Sequence, residues 1–243
     1  MKRIRTGVYA LSSMCTLASM CTLAAMSLSL AGCKSHGPAE ESPTDRAAFV
    51  PIFDGRSLGG WVQRGGAAVY TVQDGAIVGE TRPNQRNAFL CTTRDYADFE
   101  LTFEFKVDDA LNSGVQFRSL SKPEYKNGVV HGYQFEIDPS PRAYTGGIYD
   151  EARRGDWVQN LADKPEARAA FKKGEWNTGR ILCVGDHLQT WVNGVPAADV
   201  HDSLTAAGFI GLQVHDVGSR QDPLRVMWRN LKIREIKIRE IKN

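Results

Sequence analysis

Short runs of alternating apolar and polar residues, each closed by a turn signal, most restrict what this 243-residue chain can fold into. Val69-Tyr70-Thr71-Val72, Phe99–Phe105 and His187–Asn193 read this way, with punctuation at Asp54-Gly55, Gly65-Gly66, Asp74-Gly75, Asn127-Gly128, Gly146-Gly147 and Asn193-Gly194. Side chains alternate across a strand with a period of two, so each run buries one face and wets the other. Many short strands of this kind predict an all-β sandwich. Asn193-Gly194 predicts a two-residue hairpin turn, because both residue types tolerate positive φ. One segment departs from the pattern. Asp163–Gly174 reads as a short helix, begun by Asp163 or Lys164, with Pro165 and Glu166 in its first turn and Gly174 after a basic last turn. It belongs to an excursion from Asp150 to Gly174 that also carries Trp157, and that reads equally as a binding loop or as a packing insert over the sandwich edge.

The ends of the chain carry a different signal. Lys2, Arg3 and Arg5 precede an apolar stretch from Val8 to Leu30, which closes in Leu30-Ala31-Gly32-Cys33. This resembles a bacterial lipobox, a small-residue cleavage site followed by a thiol that accepts lipid. The stretch is long enough for a membrane span, but its Ser, Thr and Cys content favours a cleaved signal. Residues 1–32 therefore read as a lipoprotein signal peptide, and Cys33 as the lipidation site that ties the protein to a membrane of the bacterial cell envelope. Lys34, rather than Asp, at the next position resembles outer-membrane sorting. Residues 33–48 form a Ser-, Pro- and Glu-rich tether, about 20 Å long on average if flexible. A single domain is expected over 49–236, and a tail over 237–243. The tail arises because Lys232–Ile236 is repeated as Lys237–Ile241. Five is odd, so the copy moves its isoleucines to the opposite face and cannot extend the same half-buried strand.

Loss of the signal also changes the charge. The whole chain is +2, Lys2, Arg3 and Arg5 contribute +3, and no acid precedes Glu40, so the mature chain is −1. That balance gives no basic patch for nucleic acid. Of five cysteines, Cys91 and Cys183 lie in the domain. An extracytoplasmic location permits a disulfide, but two buried free thiols are the favoured reading. No spacing matches a zinc motif.

The polar faces of three runs are chemically selective. In Gly132–Asp138, Tyr133, Phe135 and Ile137 face a core while Gln134, Glu136 and Asp138 form a row on the other side. Val115–Arg118 sets out Gln116 and Arg118 in the same way, and Leu212–His215 sets out Gln213 and His215. These groups bind hydroxyls and move protons, and they point to a carbohydrate-like ligand on one face of a sheet. Glu136 and Asp138 have Cα atoms about 6.5–7 Å apart by strand rise. Adjacent carboxylates raise one another's pKa, which suits proton transfer.

From Phe53 to Ile233 the chain resembles the 3-keto-disaccharide hydrolase domain family. The resemblance rests on the order and spacing of Phe53-Asp54-Gly55-Arg56-Ser57-Leu58, Asp74–Gly79, Tyr96–Leu101, Asn112–Arg118, Gly132–Asp138, Thr145–Tyr149, Gly174–Asn177, Trp191–Gly194 and Gly211–His215. It implies a concanavalin A-like jelly-roll sandwich and an enzyme acting on glycosides whose sugar carries a ketone at C3. A C3 ketone acidifies the C2 hydrogen. A base removes it, the enolate expels the C1 substituent, and water then adds. Such a site needs a base, a stabiliser of the enolate oxygen and an acid at the leaving oxygen. Direct hydrolysis by paired carboxylates is the competing mechanism. On this resemblance Glu136 is the expected base or acid, Asp138 its partner and His215 the second proton-transfer group. Arg118 is expected either to steady an enolate or to pair with Glu136. Gln134, Gln213 and Asn193 are expected hydroxyl binders, Trp191 a stacking surface and Tyr149 a hydrogen-bond donor. Glu136, Asp138 and His215 are also candidate ligands for a divalent metal ion, although no fixed spacing demands one. Where the family carries Gln-Asp-His-Gly, this chain reads Gln213-Val214-His215-Asp216. The alternative to an enzyme is a lectin-like carbohydrate-binding lipoprotein, which requires aromatic and amide groups but no convergence of Glu136, Asp138 and His215.

Overall fold

The computed structural model describes residues 48–237. The expected signal peptide, the lipidation site Cys33, most of the tether and the end of the duplicated tail lie outside them. The described residues form fifteen strands and one short helix. The strands are β1 (Val50–Pro51), β2 (Trp61–Gly65), β3 (Val69–Gln73), β4 (Ala76–Glu80), β5 (Ala88–Tyr96), β6 (Phe99–Val107), β7 (Ser113–Leu120), β8 (His131–Ile137), β9 (Ile148–Glu151), β10 (Asp156–Gln159), β11 (Asn177–Val184), β12 (His187–Val192), β13 (Val195–His201), β14 (Gly208–Val214) and β15 (Arg225–Glu235). The helix α1 (Pro165–Ala170) lies between β10 and β11.

Two antiparallel sheets pack face to face. The first has the order β13-β12-β11-β6-β15-β4-β3, with β1 also paired to β15. The second has the order β10-β9-β8-β7-β14-β5-β2. The inward residues of the alternating runs meet between the sheets. Phe103 and Phe105 of β6 meet Phe135 of β8 edge-to-face, with ring centroids 5.3 and 6.0 Å apart. Such pairs add about 1 kcal/mol each beyond the area they bury. At the β3 edge, the Tyr70 hydroxyl reaches across to the carbonyls of Ala88 and Leu212, at 3.0 and 2.9 Å. Asn193 and Gly194 both take positive φ (49° and 82°) in the two-residue turn between Val192 and Val195, as their residue types require.

The first copy of the duplicated segment lies within β15 and just beyond it. Ile233 pairs with Leu101, and the Ile236 N–H donates to the Asp98 carbonyl at 2.9 Å. The Asp150–Gly174 excursion supplies part of β9, all of β10 and the helix. The helix is shorter than the sequence suggested: Lys164 occupies the N-cap, Pro165 opens it, and it ends at Ala170 rather than running to Gly174. Ala167 packs with Leu161, Ala197 and Tyr144. The excursion thus covers one edge of the sandwich and places Trp157 on the outer side of the second sheet. Cys91 and Cys183 are both free and buried. Cys91 belongs to a small cluster with Phe89, Val130 and Phe209, while Cys183 lies in the main core. Burial pushes both thiols up to about 12.

Candidate active site

The outer face of the second sheet carries a cleft of about 300 Å³. Its floor is Glu136 and Gln134 of β8, its flanks are Tyr149 and Glu151 of β9, and Asn87, Asn112 and His215 close it at the strand ends. Arg142 and Trp157 form the remaining wall.

Glu136 is 5 % exposed, yet both of its carboxylate oxygens are held. Asn112 Nδ2 donates to Oε1 at 2.6 Å, and Gln134 Nε2 donates to Oε2 at 2.8 Å. Gln134 is positioned in turn by Gln116, whose Nε2 donates to Gln134 Oε1 at 2.6 Å, and Gln116 accepts from the Ser119 hydroxyl at 2.7 Å. A relay of polar groups therefore crosses β7 and β8 and ends on Glu136. Gly114, beside Glu136 in the register, makes room for it, since a Cβ there would land on the Gln134 side chain. Burial pushes the Glu136 carboxyl above the ordinary glutamate value, and the Asp138 charge pushes the same way. The Asn112 and Gln134 hydrogen bonds and the Arg142 charge act against that rise. Arg142 Nη2 stands 3.8 Å from Glu136 Oε1.

Arg142 is fixed by the turn that follows β8. Asp138 accepts from Arg142 Nε at 2.7 Å and from the N–H groups of Ser140 and Tyr144, both at 3.2 Å. Burial raises the Asp138 carboxyl, but the bonds from Ser140, Arg142 and Tyr144 outweigh it and leave its pKa below the ordinary aspartate value. Asp138 lies just past the last residue of β8. It does not line the cleft, but its charge raises the Glu136 carboxyl and its bond to Arg142 holds that guanidinium beside Glu136. Arg142 also packs over the Tyr144 and Trp157 rings, at 5.4 and 5.2 Å. Tyr149 meets Trp157 edge-on at 5.3 Å. Burial raises the Tyr149 hydroxyl pKa, helped by the charges of Glu151 and Glu136, so the phenol keeps its proton and can donate.

His215 borders the cleft just beyond β14. Its Nδ1 lies 2.8 Å from the Asp216 carbonyl, which can only accept, so Nδ1 carries a proton and Nε2 is the other ring nitrogen available for proton transfer. Gln213 is fully buried on β14, and its amide nitrogen and oxygen have no protein hydrogen-bond partner. Glu151 lines the cleft beside these groups. Asn87 Nδ2 donates to its Oε1 at 3.2 Å, and Gln213 is close by but outside hydrogen-bond geometry. Burial raises the Glu151 carboxyl, against the Asn87 bond and the His215 charge.

Of the expected site residues, Glu136, Gln134, Tyr149 and His215 meet at this cleft, and three lie elsewhere. Arg118 is 1 % exposed and sits in a bulge with φ of 46°, which breaks the alternation and turns its side chain away from Glu136. Its guanidinium donates to the Ala97 and Gly185 carbonyls, at 2.7 and 2.6 Å, and to Asp98 Oδ1 at 2.8 Å. Trp191 lies on the first sheet under Arg180, 3.8 Å from ring centre to guanidinium carbon, beside a separate groove of about 550 Å³. Asn193 is a turn staple, accepting from the Thr178 N–H at 2.8 Å and donating to the Ala170 carbonyl at 2.7 Å. Glu136, Asp138 and His215 do not gather as metal ligands, and among the described residues no group of three or more His, Cys, Asp or Glu is placed to hold a metal ion. Glu151, Arg142, Asn112 and Asn87 were not among the expected site residues. Glu151 alone left a local signal, because it lies two residues from Tyr149 on the same face of one strand.

The family model described as a 3-keto-alpha-glucoside-1,2-lyase-like domain matches residues 48–234. A Bacteroides thetaiotaomicron protein named 3-keto-disaccharide hydrolase is 28% identical over 161 residues, covering 58% of this chain and 54% of that protein. The match thus spans about half the length of that relative. Among solved structures, a Bacillus subtilis protein of unknown function with a galectin-like fold is similar with a TM-score of 0.59 at 14% identity, covering 80% of this chain and 99% of that one. A Bacillus licheniformis beta-glucanase is similar with a TM-score of 0.54 at 11% identity, over 79% and 99% of the two chains. These likenesses agree with the sheet orders in making the fold a jelly-roll sandwich. With the family match running through both sheets and every strand of the cleft, the chain belongs to the 3-keto-alpha-glucoside-1,2-lyase-like domain family.

Proposed function

We propose that this protein is an enzyme that cleaves the glycosidic bond of 3-keto-glycosides, by elimination across C1 and C2 followed by addition of water. The observation that carries the reading is Glu136, a carboxyl buried on the floor of an open cleft, hydrogen-bonded on both oxygens by Asn112 and Gln134 and faced by the Arg142 guanidinium. A carboxylate whose pKa is lifted toward the working pH is a stronger base than one in water. Glu136 takes the C2 proton. Arg142, beside it and half-exposed, faces the negative charge that then develops on the C3 oxygen. Tyr149, Trp157 and Gln134 orient the sugar, and His215 Nε2 is a second proton-transfer atom at the rim.

The test is turnover of a 3-keto-glucoside by the purified protein, beside Glu136→Gln and His215→Ala. We expect release of 3-ketoglucose or the unsaturated keto-sugar. Glu136→Gln should lower kcat by about 10²–10⁴-fold, the range for general acid–base groups, with the melting temperature little changed. Tight binding without turnover in the wild type, across several linkages and with divalent metals added, would instead make the cleft a lectin-like binding site.

A further inference from the structure

The cleft does not end at Glu151. A second hollow of about 410 Å³ shares Asn87 and Glu151 with it and is walled by Gly65, Arg86 and Phe89 on one side and by the Asn127–Val130 loop on the other. Both volumes fall in the roughly 300–1,000 Å³ range of ligand sites. The cleft is at the lower end of that range, so it holds little more than one sugar ring. Two compartments meeting at one carboxyl are the arrangement expected around a bond that is to be broken. Glu151 is also held differently from Glu136. Its side-chain hydrogen bond from Asn87 is long, 3.2 Å, and the buried Gln213 amide beside it is unpaired.

We propose that Glu151 is the proton donor to the leaving oxygen, and that the hollow between Phe89 and the 127–130 loop receives the leaving group. The proposal rests on the 3-keto-glycoside reading above. Glu136 takes the proton from C2, and the C2–H electron pair passes through the C3 enolate into a C1–C2 double bond. The C1–O bond breaks with its electrons on oxygen, and that oxygen takes the proton of Glu151. The two carboxyls have then exchanged states, with Glu136 protonated and Glu151 ionised. Water completes the cycle: Glu151 removes one proton, the hydroxyl joins C1, and Glu136 returns its proton to C2. Both groups end as they began, and the net reaction is hydrolysis. The lining also states what the leaving group is like. Phe89, Val129 and Val130 offer an apolar wall, and Arg86 and Asn127 a polar rim, which suits a ring with one apolar face and hydroxyls at its edge. A further hollow of about 570 Å³ continues past Gly65, Asn127 and Gly128, so a leaving group larger than one ring has room.

The experiment compares kcat/KM of the wild type, Glu151→Gln and Val129→Trp on three 3-keto-glucosides with a methyl, a second-sugar and a 4-nitrophenyl leaving group. Nitrophenolate leaves without protonation, so Glu151→Gln should lose 10²-fold or more on the methyl and disaccharide substrates and under 10-fold on the nitrophenyl one. Val129→Trp should raise KM about 10-fold for the disaccharide and leave the methyl glycoside unchanged. Equal losses on all three leaving groups would remove Glu151 as the acid. An equal effect of Val129→Trp on the methyl and disaccharide substrates would place the leaving group elsewhere. A wild type inert on all three would fail the underlying reading as well, and is distinguished by that inertness.

Discussion

At the scale of single residues, the site is governed by how charge is held out of water. Glu136 is balanced between burial and the Asp138 charge, which favour its neutral form, and Asn112, Gln134 and Arg142, which favour the carboxylate. Removing Arg142 tips that balance. Without the nearby positive charge the carboxylate is less favoured, so the Glu136 pKa rises and the base is ionised only at higher pH. Arg142→Gln should therefore move the acid limb of the kcat/KM profile upward and lower kcat by about 10²-fold through loss of charge at the enolate oxygen. A profile that falls in height without moving would show that Arg142 does not set the Glu136 pKa. Arg118 gives the contrasting case. It is more deeply buried than any cleft residue with a charge, but its hydrogen bonds to Ala97, Gly185 and Asp98 tie together turns at one end of the sandwich.

At the scale of elements, the cleft depends on β8 lying beside a strand with no side chain at one position. Gly114 pairs with Glu136 across β7 and β8, and the Gln134 side chain occupies the space where a Cβ would stand. Gly114→Ala should displace Gln134, break its 2.8 Å bond to Glu136 and cost about 1–3 kcal/mol, the range for small-to-large changes in packed sites. Denaturant midpoints and turnover should fall together; an unchanged kcat would mean that the relay through Gln116 and Gln134 is not needed. This region also shows how far alternation can be read. The inward row Tyr133, Phe135 and Ile137 and the outward pair Gln134 and Glu136 were legible because a strand's period of two is local. The bond of Asp138 to Arg142 was not, because β8 ends at Ile137 and the turn that follows brings Arg142 in. Arg118 was not, because a bulge with positive φ resets the phase without a glycine to mark it. Trp191 and Asn193 were expected at the same site, but their hairpin belongs to the other sheet. Sheet membership comes from pairing between distant segments, which no single strand encodes. For the same reason Asn87 and Arg142 left no trace, and Asn112, though it opens one of the family-like segments, gave no sign of its place in the cleft: each reaches it from a connection whose position is set by tertiary structure.

At the scale of the whole molecule, the domain has two unlike outer faces. The second sheet carries the cleft, and the first carries ion pairs such as Arg180 and Arg234 on Glu100 and Arg229 on Glu104. We propose that Cys33 anchors this domain to the cell envelope through lipid. Cys33→Ser should then move the protein from the membrane fraction to the soluble fraction while turnover is retained, and a variant still sedimenting with membranes would rule out that anchor. The sheet orders hold one more consequence, and it concerns time rather than space. β14 lies in the middle of the second sheet, between β7 and β5, and β15 lies in the middle of the first, between β6 and β4. They are the last two strands among the described residues. As the polypeptide is made from its N-terminus, each sheet stays split into two unjoined halves until β14 and β15 arrive. Pairing across such sequence distances is slow, milliseconds to seconds for all-β domains. Gln213 and His215 also enter with that segment, so a chain cut short before β14 lacks both the seam of its sheet and one wall of its cleft. A cleft built against that seam is thus a property of the finished domain alone, absent from partial translation products.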